Sequence, residues 1–261
     1  MSGSAPPPPP APAAARWRRR VANLLILGGL LVLVYPAGTW GYTWWQQRVL
    51  AGELARAHPG LAATEPQAFF VQEDMTLVGA EQRQVVRAGL EAEEAARKRA
   101  LRDAALEFAG TLQGKGGQPL GRILIPKIGV DTVMVEGTGR SDLREGPGHW
   151  PETPLPGMGG NFVVSGHRTT YGAPFLRLDR LEPGDDIQVL LPYAAVVYAV
   201  TRTMIVRPDE TEVVAQRGIE EISLTTCHPI YSARQRLVVQ AELRGFKLIE
   251  PESANGEPGR P

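Results

Sequence analysis

The chain is expected to fold as a small all-β domain, a closed barrel or a sandwich, joined to an N-terminal helical region. Between residues 120 and 250, short Val- and Ile-rich runs alternate with Gly/Pro turns. Ahead of them lies one long charge-free apolar stretch. There is no internal repeat, and no Gly-rich phosphate loop opens a helix.

Taken in order, residues 1–20 are a Pro/Ala-rich basic tail. Residues 1–15 are almost entirely Pro, Ala, Ser and Gly, which bury little apolar surface and predict a disordered or polyproline-like segment. Arg16-Trp17-Arg18-Arg19-Arg20 follows. Residues 21–45 carry no charge, and Leu24–Val34 is Leu, Ile and Val broken only by Gly28 and Gly29. About 20 apolar residues suffice to cross a bilayer. Four arginines before the stretch predict a cytoplasmic N-terminus. Trp40, Tyr42, Trp44 and Trp45 sit at the far end, as an interfacial aromatic belt would. A cleaved signal peptide would need small residues where the aromatics stand, and a buried core helix would leave both flanks unexplained. An uncleaved single-pass anchor is therefore expected, with the following residues outside the membrane.

Residues 46–119 read as an extracellular stalk and linker. His58-Pro59-Gly60 is a breaker. Residues 80–109 lack proline and interleave acids with bases, which predicts a solvated stalk helix. Leu90, Leu101, Ala105 and Phe108 make only a weak apolar stripe along it. Gly110–Pro119 reads as a flexible linker. The core domain spans 120–250. Its expected strands are Arg122–Ile125, Val130–Val135, Asn161–Ser165, Ile187–Leu191, Val196–Thr203, Ile222–Thr226 and Arg236–Leu243. Short helical turns are expected at Ser141–Glu145, Pro174–Leu181 and Thr211–Arg217. Residues 251–261 form a loose tail.

Composition narrows the function. Lys+Arg and Asp+Glu are each 28 in 261 residues, so no cationic excess points to nucleic acid. A hydrophobic share of 43% excludes a wholly disordered chain. One cysteine excludes an internal disulfide and a four-thiolate zinc site, and no cofactor or metal is expected.

That cysteine, Cys227, ends an expected strand within Ser223-Leu224-Thr225-Thr226-Cys227-His228-Pro229. A strand end is where a rigid scaffold presents a side chain. Inert structural cysteines usually sit between apolar neighbours; here the neighbours are Thr, His and Pro. A reactive thiol needs an imidazole or cation nearby. His228 is adjacent in sequence and points to the opposite face of a strand. His58 and His149 read as loop residues, the latter with a packing or rim role. His167 follows Asn161–Ser165 and Gly166, also at a strand end. An attack on a carbonyl requires a partner for the developing oxyanion, and Arg236, opening the next strand, or Arg234 could supply it.

These blocks together resemble the sortases. Ser223-Leu224-Thr225-Thr226-Cys227, Ser165-Gly166-His167 and Arg236 carry the resemblance, with Ser223 where the family pattern has Thr. Gly146-Pro147-Gly148-His149-Trp150-Pro151, Gly166-His167-Arg168-Thr169-Thr170-Tyr171-Gly172 and Thr225-Thr226-Cys227-His228-Pro229 are similar to the class E sortases of high-GC Gram-positive bacteria. The likeness covers about residues 120–245.

The resemblance implies an eight-stranded sortase-like β-barrel and a cysteine transpeptidase. Cys227 would be the nucleophile, His167 the general acid and base, and Arg236 the oxyanion partner, with a backbone N–H near His228. Thr225, Thr226, His228 and Arg168 would contact substrate. The implied partners are C-terminal sorting-signal peptides of secreted proteins, Leu-Ala-x-Thr-Gly for class E. The amine acceptor would lie on a peptidoglycan precursor or another protein. Some sortases bind calcium, but the acidic pairs Asp185-Asp186 and Glu220-Glu221 read as solvated turns. A pilin-polymerising sortase would carry an Asp-Pro lid dipeptide, and the sequence has none. An L,D-transpeptidase would carry a Ser-x-Gly-Cys-type motif, also absent. The rival of another class is a catalytically silent, membrane-tethered scaffold on the same fold. Leu61-Ala62-Ala63-Thr64-Glu65 matches the class E signal except at its last position, which an Ala-rich chain produces by coincidence.

Overall fold

The computed structural model describes residues 13–62, 80–112 and 116–249. Residues 1–12 of the expected N-terminal tail, the tail expected at 251–261 and most of the Leu61–Glu65 match lie outside the described residues; residues 13–15, expected to be irregular, are instead the first residues of a helix.

Helix α1 (Ala13–Ala57) continues from the charge-free stretch without a break, through Pro36. Pro36 removes one backbone donor, and the Thr39 hydroxyl donates to the Pro36 carbonyl at 2.8 Å. Nothing covers its apolar side chains from Leu24 to Val34 that are described; Leu25 and Leu31 are more than 70% exposed. This helix is long and apolar enough to cross a membrane. Its second half behaves differently. Thr39, Thr43, Leu50 and Leu54 are buried, at the 3- and 4-residue spacing of one helix face. After the break at His58, α2 (Pro59–Ala62) adds Leu61 to that face.

Eight strands follow: β1 (Pro119–Ile125), β2 (Val130–Glu136), β3 (Gly148–His149), β4 (Asn161–Ser165), β5 (Asp186–Leu191), β6 (Ala194–Val206), β7 (Glu221–His228) and β8 (Gln235–Leu248). They close into a barrel in the order β1-β2-β3-β4-β7-β8-β6-β5. Pairings are antiparallel except β2–β3 and β4–β7, which are parallel. The sequence anticipates seven of the strands. It misses β3, where His149 is a strand residue rather than a loop residue. His149 is buried there against Phe162, with Nδ1 2.7 Å from the Glu136 carboxylate and Nε2 3.0 Å from the Thr153 carbonyl. The expected helical turns appear as α4 (Asp142–Glu145) and as 3-10 turns at Leu178–Arg180 and Thr211–Val214.

Alternation along the strands separates two apolar clusters. Leu224, Phe162, Val164 and Val239 belong to the barrel interior. Val163, Val214 and Val238 pack outside it, beneath the Thr211–Val214 turn.

The α1 face docks on the barrel wall. Leu50, Leu54 and Leu61 pack on Val133, Val135, Leu190 and Ala195. Burying each leucine contributes roughly 1.5–3 kcal/mol. The short β3 covers β2 only at Val135 and Glu136, leaving Val133 with a free strand edge. Gln47 fills it. Its amide donates to the carbonyls of Val133 (3.0 Å) and Glu145 (2.8 Å) and accepts from the Val133 N–H (2.7 Å). Residues 46–62 are therefore a docked helical strut, not an irregular linker.

Helix α3 (Ala80–Leu112) corrects the expectation of a solvated stalk. Residues 90–100 are exposed, but Leu101, Ala105, Phe108 and Leu112 enter the main core beside Leu155 and Tyr193. Arg97 lies over the Phe246 ring and donates to the Phe246 carbonyl at 3.2 Å. The apolar stripe, thin by composition, is dense where the barrel end needs a cover. Of the linker expected at 110–119, residues 110–112 are helical and Gly116–Gln118 form a turn into β1.

Leu101→Ala should lower unfolding free energy by about 2–4 kcal/mol, because it empties a core site. Leu90→Ala, on the exposed half, should stay within about 0.5 kcal/mol. Thermal unfolding of the two variants in detergent checks this; equal shifts would return α3 to a solvated stalk.

Candidate active site

The parallel pairing of β4 with β7 places the C-terminal ends of both strands on one rim. Its register runs Asn161 with Glu221 to Ser165 with Thr225. Beyond this ladder the Gly166 N–H donates to the Thr225 carbonyl, so the chain enters His167 from the same rim at which β7 ends in Cys227-His228. On the other side β8 runs antiparallel, and Arg236 is the direct partner of Cys227. Cys227 and Arg236 are thus cross-strand partners at the rim where β4 also ends.

Strand alternation assigns each a face. Cys227 follows Ser223 and Thr225 on the outer face, which carries Val163 and Val238 lower down. Arg236, cross-strand from Cys227, shares that face. Thr226, Arg168 and His228 fall on the opposite face.

Cys227 is half-buried and free. Among the described residues its thiol makes no hydrogen bond, so the group is open to a ligand. Burial of the His167 imidazole, and then the Arg144 guanidinium, hold its pKa below the ordinary 6.5. It is therefore neutral at pH 7, the form that can take a proton. Arg236 donates through Nη1 to the carbonyls of Ala233 (2.9 Å) and Gln235 (3.1 Å). These bonds steer the guanidinium within its own loop, and its other N–H groups remain for an anion.

The opposite face is a support layer. Arg168 is only 3% exposed. Its Nη1 donates to the Cys227 carbonyl at 3.3 Å and lies 2.9 Å from His228 Nδ1. Since arginine is always a donor, His228 accepts at Nδ1 and carries its proton on Nε2. Asp179, 3.1 Å from Arg168 Nη2, balances the buried charge. The Thr226 hydroxyl donates to the Gly166 carbonyl at 2.7 Å, and the Gly166 N–H donates to the Thr225 carbonyl at 3.0 Å. The hinge before His167 is thereby tied to the strand that ends in Cys227. Thr225 and Ser165 share a hydroxyl bond of 2.6 Å, and the Trp150 indole N–H donates to Ser165 at 2.7 Å. Thr225, Thr226, His228 and Arg168, expected to meet substrate, thus have polar atoms committed inside the protein. Arg234, the alternative to Arg236, is exposed and off this register.

Sequence reasoning did not single out Asp179, Arg144 or the contacts of Tyr171. The Tyr171 ring lies 5.1 Å from the His167 ring. Their signal, a charge or an aromatic within a loop, carries no spacing that could be read in one dimension. No group of three or more metal-ligating side chains occurs among the described residues. The acidic pairs serve structure. Asp185 pairs with Lys127, Asp186 with Arg244, and Glu221 with Arg217. Glu220 accepts the backbone N–H groups of Gly157 and Gly159.

Residues 123–244 match the Sortase domain family. Sortase D of Bacillus subtilis (strain 168) is 41% identical over 114 residues, 43% of this chain and 56% of that protein. Sortase SrtE1 of Streptomyces coelicolor (strain ATCC BAA-471 / A3(2) / M145) is 32% identical over 143 residues, 49% of this chain and 41% of that protein. The solved structure of a Clostridium perfringens Sortase D5 transpeptidase is 32% identical, with a TM-score of 0.49, covering 53% of this chain and 88% of that one. The chain spans about half the length of these curated relatives.

The lowered His167 pKa has a sign that can be measured. Just below pH 6.5 the unfolded chain holds a proton there that the folded chain lacks, so stability falls on acidification through that window. Burial lowers His58 in the same direction. Urea unfolding between pH 7.5 and 5.5 should show a shallower loss in His167→Gln than in the parent, and shallower still in His58→Gln/His167→Gln. An unchanged slope would mean that His167 titrates as it does in the unfolded chain.

Proposed function

This chain belongs to the sortase family, and we propose that it is a membrane-anchored cysteine transpeptidase acting on C-terminal sorting signals outside the cell membrane. The observation that carries this reading is the cross-strand pairing of Cys227 with Arg236 at the rim where β4 ends and leads, through Gly166, into His167. That set provides a nucleophile, a neutral base and a cation for the oxyanion.

The proposed reaction has two halves. His167 takes the thiol proton, and Cys227 Sγ adds to the carbonyl carbon of the signal's threonine. Arg236 offers N–H groups to the oxygen as it becomes negative. The C–N bond to glycine then breaks, His167 gives its proton to the leaving amine, and a thioester remains. An incoming amine, on a peptidoglycan precursor or another protein, loses a proton to His167 and attacks the thioester. An amide forms and the thiol is released. No metal or cofactor enters either half.

Strand-end blocks such as Gly166-His167-Arg168-Thr169-Thr170 favour the class E reading and its Leu-Ala-x-Thr-Gly signal. The higher identity to Sortase D leaves the signal as the point to test. The charge-free half of α1, with Arg18, Arg19 and Arg20 before it, supports a single pass with the N-terminus in the cytoplasm.

The full chain in detergent, given quenched Leu-Ala-x-Thr-Gly and Leu-Pro-x-Thr-Gly peptides, should cut between Thr and Gly, with the first peptide preferred. Mass spectrometry should find the acyl group on Cys227 and an amide when an amine is added. Cys227→Ala should abolish cleavage, and Arg236→Ala should lower kcat by roughly 10²–10³. A folded parent that cuts neither peptide and takes no acyl group would instead favour a silent scaffold.

A further inference from the structure

The loop after His167 doubles back onto it. Tyr171 (φ 49°), Gly172 (φ 75°) and Ala173 (φ 46°) form a left-handed run. It is closed by hydrogen bonds from the Ala173 N–H to Thr170 (2.9 Å) and from the Phe175 N–H to His167 (3.2 Å). Two non-glycine residues in succession around a glycine hold this conformation only where surrounding contacts over-determine it.

Those contacts come from two directions. On one side the Tyr171 ring rests against the His167 imidazole, with centroids 5.1 Å apart and a 36° tilt. On the other sides stands the anchor helix. Tyr42 meets the Tyr171 ring edge-on at 6.4 Å. The Thr43 methyl lies so close beneath Gly172 that a Cβ there would sit 3.1 Å from it. Arg144 lies 5.7 Å over the same ring, and its carbonyl accepts from the Thr43 hydroxyl at 3.4 Å. Gln47, one turn further along α1, holds the adjacent Glu145 carbonyl.

We infer that Tyr171 is a positioning residue for His167, and that residues 42–47 of α1 form the far wall of the active site rather than a passive tether. The inference deepens the proposed function and rests on it for the reactive role of His167. Its physical content is a chain of contacts from α1 through Tyr171 to the imidazole, together with the burial those contacts impose. The charged and titratable groups that face His167 are Arg144 on α4 and Tyr171 in its own loop, with Tyr42 of α1 behind Tyr171.

The test uses the full chain in bilayer nanodiscs, with labelled imidazole followed by NMR through a pH titration. Tyr171→Ala should raise the His167 pKa toward 6.5, since burial is the first cause of its depression. Tyr42→Ala should move it the same way by a smaller amount. Tyr42 is 40% exposed, so this variant keeps the fold. Tyr171→Phe, which keeps the ring, should titrate like the parent. In peptide cleavage, Tyr171→Ala should lower kcat about tenfold with KM nearly unchanged, the mark of a misplaced proton carrier. Identical His167 titrations in the parent, Tyr42→Ala and Tyr171→Ala would overturn the inference. The titration needs no cleavage. A parent that cuts no peptide while the titrations still shift would therefore remove the transpeptidase reading and leave the positioning contact standing.

Discussion

The parallel contact between β4 and β7 is the constraint on which this structure depends. A parallel pair cannot be closed by a hairpin, so the chain must leave β4 and travel through β5 and β6 before β7 returns. That detour makes two strand ends coincide at one rim. An antiparallel pairing at the same place would have sent His167 and Cys227 to opposite ends of the barrel. The short turn into β8 then adds Arg236 without further cost in topology, because an antiparallel partner begins where its neighbour ends.

Period-two alternation completes the division of labour. One face of the rim holds Cys227 and Arg236, two of the groups the proposed chemistry uses, and the other holds groups that fix the Cys227 backbone. Arg168 shows why the second face matters. A buried guanidinium needs its charge and N–H groups answered; here Asp179, the Cys227 carbonyl and His228 meet its two terminal nitrogens, while Nε has no hydrogen-bond partner among the described residues. Breaking a fully buried pair costs about 3–5 kcal/mol, and less here because Asp179 is half-exposed. The Cys227 backbone is held by an interaction that is expensive to break, while its side chain stays free. Rigidity of the support and openness of the thiol are thus properties of alternate residues.

Some of this was legible in one dimension and some was not. Asn161–Ser165 is visible because both its faces are apolar and its ends are marked by Gly160 and Gly166. Cys227, His167 and Arg236 are visible because reactive side-chain types at strand ends are rare by composition. Strand β3 is invisible: two residues, one of them glycine, owe their conformation wholly to β2 and β4. The docking face of α1 is hidden differently. Thr39, Thr43 and Gln47 are polar, so hydrophobic periodicity passes over them, although they occupy the same stripe as Leu50 and Leu54. In α3 the charges of the exposed half outweigh the Leu101–Leu112 stripe when composition is averaged over the whole helix. Tyr171 and Arg144 matter only through loop closure, which no local pattern encodes.

The continuity of α1 links the fold to its setting. A flexible linker would give a tethered domain a raised local concentration at the membrane but every orientation. A helix that leaves the apolar stretch and docks without a break, held by Gln47 on an open strand edge, removes most of that rotational freedom. The loop that carries Tyr171 then lies against the last aromatic turns of the apolar segment, at the height where Trp40, Trp44 and Trp45 would meet a bilayer surface. For the proposed reaction this geometry has a direct consequence. In that proposal one substrate would bear its signal near a membrane-retained end, and a rim turned toward the bilayer would meet it at the depth where it emerges. A helix that both crossed the membrane and docked on the barrel would set that orientation before any ligand arrived, so that the ordering entropy would be met by folding rather than by binding.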